Sequence, residues 1–233
     1  MSRHEVSGLP GTARAWTTTL VTGPVRSGKS RHAEDLLSHR SGVTYVATGQ
    51  PVADSGTSGP AGPDDAEWRR RVEGHRQRRP SSWRTLETTD VAGAVSAATG
   101  PVLVDCLGTW LTAVVDEVGW DDLEAAAAAV RQEEDRLVES LCAATLPVVV
   151  VTNEVGWSLV PTTASGRFFQ DELGRLNARV SSVARHVHLV VAGRVLDLSD
   201  SPVVPVVPVV PITPGDPDVR GETRDHASGT RDA

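Results

Sequence analysis

Hydrophobic and polar positions along the chain fall into short apolar runs alternating with stretches of helical spacing. Trp16 to Thr22 is a β-prone run that ends in glycine. Ser30 to His39 then places Ala33, Leu36 and Leu37 on one side of a helix. Val43 to Thr48 predicts a second strand, Trp83 to Thr88 a third, and Val91 to Ala98 a short helix. Val102 to Asp105 is a buried-type strand closed by a carboxylate. Asp121 and Asp122 are N-cap candidates for a long helix to about Ala144, with Leu123, Ala127, Val130, Leu137 and Leu141 on its apolar side. Pro147 to Thr152 is apolar throughout, as a central parallel strand covered on both faces requires. Phe169, Leu173, Leu176, Val180, Val183 and Val187 trace one stripe of a further helix. His188 to Ala192 then predicts a last strand, with Arg194 to Leu198 as its extension. Strands alternating with helices imply an α/β layer fold with a mostly parallel sheet.

The ends of the chain break this pattern. Residues 1–15 are polar, Gly/Pro-punctuated and without an apolar signal-type core, and they read as a disordered extension. From Ser199 onward Val-Val-Pro repeats and then a polar stretch forbid helix and central strand, favouring an extended disordered tail over 199–233. One domain over residues 16–198 is expected. The Gly/Pro/Ser/Asp-rich stretch from Gln50 to Asp65 is a loop, and Ala66 to Arg79 returns to helical character. Composition narrows the function classes. A net charge of −7 argues against nucleic-acid binding by the surface as a whole, and no apolar run is long enough to span a bilayer. Two cysteines, Cys106 and Cys142, are too few for a disulfide scaffold and fit a reducing cytoplasm.

The candidate chemistry begins at Gly23-Pro24-Val25-Arg26-Ser27-Gly28-Lys29-Ser30, which has the G-x-x-x-x-G-K-[ST] spacing of a phosphate-binding loop between a strand and a helix. Glycines let backbone N–H groups curl round phosphate oxygens. Lys29 reaches the β- and γ-phosphates, and the Ser30 hydroxyl is a Mg²⁺ ligand. Lys29 is also the single lysine among 23 basic residues, retained where a compact ammonium rather than a planar fork is wanted. Asp105, at the end of a strand, reads either as the acidic partner of that metal or as a plain strand-end cap. Asn153-Glu154 should lie on the same sheet edge as the loop. Between Arg69 and Arg84 an acidic protein gathers seven arginines around His75. Alone, this segment reads as a solvated face or as a second anion site with a nucleophilic imidazole inside it. His4, His32, His39, His186, His188 and His226 have no matching partner pattern and read as structural or surface residues, and Cys106 as a small core residue.

These residues together resemble a family. Gly23 to Ser30 followed by Arg31-His32-Ala33-Glu34, and Tyr45-Val46-Ala47-Thr48 with Gln50, are its first motifs. Arg71 to Arg76, Arg79-Pro80 and Trp83-Arg84-Thr85 with Glu87 follow. Val104 to Leu107 with Trp110-Leu111-Thr112, and Val151 to Gly156, complete the set. The chain resembles the bifunctional adenosylcobinamide kinase/adenosylcobinamide-phosphate guanylyltransferases of cobalamin synthesis, from about residue 17 to 198. The resemblance implies a RecA-like P-loop fold, a cytoplasmic homotrimer and a corrinoid substrate. It implies phosphorylation of the aminopropanol hydroxyl of adenosylcobinamide by ATP or GTP. Transfer of GMP from GTP through a GMP–histidine intermediate would then follow. Carried over by motif, His75 is the nucleophile. Gly23 to Ser30, Thr48, Gly49, Gln50, Arg76, Gln77, Arg78, Arg79, Glu87 and Asp105 form the nucleotide site, with Ser30 and Asp105 on Mg²⁺. Some relatives carry two adjacent histidines where this chain has Gly74-His75, and Val52 to Pro63 resembles an insertion. Two other functions stay open: an enzyme with the kinase step alone, and a nucleotide-binding switch or scaffold whose Pro-rich tail recruits a partner.

Overall fold

The computed structural model describes residues 18–49 and 79–204. The expected N-terminal extension, the 50–65 loop, most of the Arg/His segment including His75, and most of the Pro-rich tail lie outside the described residues.

Seven strands form one sheet: β1 (Thr18–Thr22), β2 (Thr44–Ala47), β3 (Arg84–Glu87), β4 (Val102–Asp105), β5 (Val148–Val151), β6 (His186–Val191) and β7 (Arg194–Asp197). Their spatial order is β3-β2-β4-β5-β1-β6-β7. The first six pair in parallel, and β7 closes one edge by pairing antiparallel with β6. Among the described residues five helices accompany them: α1 (Lys29–Leu37), α2 (Val91–Ser96), α3 (Leu107–Val118), α4 (Leu123–Ala143) and α5 (Ala164–Val183).

Period-two burial on both faces explains the sheet. Leu20, Val46, Val102, Val104, Val148 and Val150 face α2 to α5, whereas Val21, Tyr45, Leu103, Val149 and Val151 face α1. The central strand β5, Val-Val-Val-Val, is buried at every position, as a parallel strand covered on both sides must be. The long helix α4 starts where its cap was expected: the Asp122 carboxylate accepts the Ala125 N–H at 3.0 Å.

Two features depart from the sequence reading. The helix α3, with Trp110, Leu111, Val114 and Val115 buried, lies where no helix was assigned. In addition, Val187 is not the end of the Phe169–Val183 stripe. Helix α5 stops at Val183, and Val187 lies in β6 opposite Leu20 of β1. Its i+4 spacing from Val183 continues a helical pattern, but pairing in a parallel ladder overrides that local signal. Strand β6 accordingly spans His186–Val191, starting two residues before the expected His188, and Arg194–Asp197 turns back as the antiparallel β7 rather than extending it.

Candidate active site at the carboxyl edge of the sheet

Parallel strands gather their carboxyl ends on one edge, and the loops leaving that edge carry the site. Strand β1 runs into Gly23, whose φ of 153° is one that residues with a side chain rarely adopt. A Cβ there would lie 2.2 Å from the Val190 carbonyl oxygen of β6. The loop turns through Arg26 at φ 60° and closes at Gly28 at φ 98°, which stands at the head of α1 and brings no capping side chain. The N–H groups at the start of α1 thus face the inside of the loop, the arrangement that binds an anion. Lys29 is buried, and its Nζ donates to the Pro24 carbonyl at 3.3 Å. The Ser27 hydroxyl is buried with no hydrogen-bond partner among the described residues.

Strand β4, two positions from β1, delivers the carboxylate. Ser30 Oγ donates to Asp105 Oδ1 at 3.4 Å, and the Tyr45 hydroxyl donates to Asp105 Oδ2 at 3.0 Å. Burial, and next the Asp105 charge, push the Tyr45 hydroxyl well above its ordinary range, so it stays a donor to that carboxylate. A hydroxyl and a carboxylate at this separation are hard oxygen donors of the kind Mg²⁺ takes, a cation that keeps waters and draws further ligands from phosphate. Among the described residues, no group of three or more His, Cys, Asp or Glu could hold a metal.

The other candidates occupy the same edge in part. Thr48 is buried after β2, donating to the Cys106 carbonyl at 2.7 Å and sharing a 2.7 Å hydrogen bond with Thr109; Gly49 follows it. Glu87 ends β3 and is exposed, two strands beyond Asp105. The Arg79 guanidinium lies 3.4 Å from the centroid of the Tyr45 ring and donates to Thr85 at 3.0 Å. Gln50, His75, Arg76, Gln77 and Arg78 lie outside the described residues. From the β5 end, the Glu154 N–H donates to the Gly23 carbonyl at 3.1 Å, and Glu154 Oε1 accepts the Thr22 hydroxyl at 2.6 Å. Asn177 of α5 braces this corner, donating to the Asn153 carbonyl at 3.0 Å.

Sequence reasoning missed several of these groups. Tyr45 reads as one core residue of a strand, and its contact with Asp105 spans 60 residues. Asn177 is a polar residue buried on the core side of α5, between Leu173 and Val180, where the apolar stripe draws the eye past it. His32 and His188 show no partner pattern in the sequence and read as structural or surface residues. In the fold they pair with each other, His32 Nε2 and His188 Nδ1 sharing a 2.9 Å hydrogen bond between α1 and β6. Burial, and then the other ring, lower the proton affinity of His32, and burial lowers that of His188. Cys106 does more than fill space: it caps α3, where Thr109 Oγ1 accepts its N–H at 3.3 Å. Burial, then Asp105, push its thiol upward.

A glycine loop between β1 and α1, with β5 inserted between the loop strand and the carboxylate strand, defines a P-loop nucleotide-binding enzyme fold of the RecA-like kind. Among solved structures, an ATPase of a bacterial type III secretion system aligns with a TM-score of 0.42 at 11% identity, over 74% of this chain and 50% of that one. Sequence comparison reaches further than fold. A family model described as cobinamide kinase / cobinamide phosphate guanyltransferase matches residues 19–198. The bifunctional adenosylcobalamin biosynthesis protein CobU of Escherichia coli K12 is 38% identical over 184 residues, covering 75% of this chain and 95% of that protein. The corresponding CobP of Pseudomonas aeruginosa PAO1 is 35% identical over 191 residues, 79% of this chain and 98% of that protein. The chain belongs to the cobinamide kinase / cobinamide phosphate guanyltransferase family, and so to the kinases and nucleotidyltransferases of cobalamin biosynthesis.

Proposed function

We propose that this chain phosphorylates the aminopropanol hydroxyl of adenosylcobinamide and then joins GMP from GTP to the new phosphate. One observation supports the reading most directly. In a chain of this family, Ser30 reaches Asp105 while its neighbour Lys29 turns onto the Pro24 carbonyl of a loop shaped for phosphate.

In the first step the acceptor hydroxyl oxygen forms a bond to the γ-phosphorus of ATP or GTP, and the diphosphate leaves. The loop amides and Lys29 hold the β- and γ-phosphates and offset the charge that spreads over the transferring group. Ser30 and Asp105 would hold Mg²⁺, which when bound neutralises charge between the β- and γ-phosphates. In the second step a nitrogen of His75 attacks the α-phosphorus of GTP and pyrophosphate departs. An oxygen of adenosylcobinamide phosphate then displaces the imidazole, giving the GDP-linked product. Arg76, Gln77, Arg78 and Arg79 steady the phosphates, and Thr48, Gly49, Gln50 and Glu87 complete the GTP site. Arginines beside an imidazole favour its unprotonated, nucleophilic form and stabilise the developing phosphoryl charge. A cytoplasmic homotrimer is the assembly proposed.

GTP labelled at the α-phosphate tests the sequence of steps. The full chain should acquire acid-labile, base-stable label, and His75→Ala should acquire none. Equal labelling of both proteins would remove His75 from the role of nucleophile. Accumulation of adenosylcobinamide phosphate in the presence of GTP, with no GDP-linked product, would reduce the activity to the kinase step.

A further inference from the structure

The reading above leaves the corrinoid without a seat. Five consecutive residues after β5, Gly156 to Val160, are exposed, and three of them are large and apolar. Trp157 is 60% exposed, Leu159 92% and Val160 76%. A single exposed leucine needs no explanation, but a tryptophan, a leucine and a valine together in one short loop do. The loop has not merely failed to pack. Val155, at its base, joins the core, and its carbonyl accepts Ser158 Oγ at 3.0 Å and Gln170 Nε2 at 3.2 Å. At its far end Arg167 donates to the carbonyls of Pro161 and Thr162, each at 3.0 Å. The backbone is braced at both ends while the apolar side chains face outward.

The position of this platform narrows its occupant. Glu154 donates to Gly23 of the phosphate loop, and Trp157 follows three residues later, which keeps it within about 10 Å of the Glu154 backbone. Val25 in the phosphate loop is itself 63% exposed. A ligand resting on Trp157 would therefore lie near the phosphate loop. The acceptor class is a large, flat macrocycle with apolar faces, amide-fringed edges and its hydroxyl on a short arm. Such a molecule needs an apolar surface to one side of the phosphoryl site rather than a pocket that encloses it. Tryptophan supplies a wide stacking face at low cost in conformational entropy.

We propose that the braced loop Val155–Pro161 is the corrin platform, with Trp157, Leu159 and Val160 stacking against the macrocycle so that its hydroxyl arm reaches the phosphate loop. The assignment rests on the cobinamide kinase reading.

The test uses the full chain and its Trp157→Ser and Leu159→Ser variants, assayed for phosphorylation of cobinamide. Each substitution should raise KM for cobinamide about tenfold or more, and Trp157→Phe should restore most of the loss. KM for the triphosphate, labelling by GTP without cobinamide, and mass in solution should stay at parental values. Unchanged KM for cobinamide in both serine variants would overturn the assignment. So would a fall in oligomeric mass that accounts for the lost activity, which would make the loop a contact between copies. A parent chain that takes label from GTP but neither binds nor phosphorylates cobinamide would overturn the kinase reading and the platform with it. Failure of the loop variants alone leaves that reading standing.

Discussion

Lys29 is buried at the head of α1, with its ammonium turned back onto the loop carbonyl of Pro24. In the proposed phosphoryl transfer its role would be charge at one point, which an arginine fork of greater bulk would not reproduce. Lys29→Ala should lower the rate of cobinamide phosphorylation by about 10²–10³-fold, and Lys29→Arg should recover little of it. Steady-state turnover of variants with parental circular dichroism checks both. The His32–His188 pair carries a second expectation at this scale. Both rings hold protons less tightly than the ordinary 6.5. Below about pH 6.5 the unfolded chain therefore binds more protons than the folded one, and stability falls with acid. Asp35 beside His32 and Asp197 beside His188 oppose the shift, and His186 reinforces it at His188. Denaturant unfolding at about pH 7 and about pH 5.5 should show the loss, and His188→Gln should make the difference smaller.

Helix α3 separates what the sequence discloses from what it conceals. It begins without Ser, Asp or Asn at its cap, using Cys106 and Thr109 instead, and it is buried on most sides, so neither a start signal nor a polar face marks it. By contrast α4 has Asp122 at its cap and a wet Glu/Arg face, and its sequence reading holds to within a residue. The phosphate loop is equally legible because its chemistry is contiguous. The contacts that complete the corner are not: Tyr45 to Asp105, Thr22 to Glu154 and His32 to His188 join residues 60, 132 and 156 positions apart. No local pattern carries such pairings, which follow only from strand order. Trp110 gives α3 its energetic weight, being 1% exposed with Nε1 donating to the Thr89 carbonyl at 2.9 Å. Trp110→Ala should cost about 3–5 kcal/mol in denaturant unfolding. Asp122→Ala, which removes the α4 cap, should cost about 1 kcal/mol. Between α4 and α5, Arg179 pairs with the buried Glu134 at 3.3 Å and with the exposed Asp135 at 2.8 Å. Burial raises the Glu134 carboxyl while Arg179 draws it down. Removing the arginine would leave that carboxyl without its counter-charge.

For the molecule as a whole, the family match ends at residue 198, while the described chain continues to Val204. Ser199 belongs to the folded part, since its hydroxyl accepts the Val187 N–H at 3.1 Å. A truncation that respects this contact removes residues 205–233 and no more. It should leave cobinamide turnover within about twofold of the parent. A large loss would instead support a partner-recruiting or catalytic role for the Pro-rich tail.

The wedge between the phosphate loop and β6 has a further consequence. Gly23 lies so close to the Val190 carbonyl that no side chain fits between them, and Gly193, in the β6–β7 turn, donates its N–H to the Ser27 carbonyl at 3.1 Å. The turn and the loop are therefore one mechanical unit, although the turn belongs to the edge hairpin. Anything that stills the loop must also still that amide. Exchange of the Gly193 N–H with deuterated solvent should slow when a triphosphate binds, turning a residue outside the phosphate-binding motif into a reporter of occupancy. Lengthening the turn by one residue should weaken triphosphate binding without altering any group that touches the nucleotide.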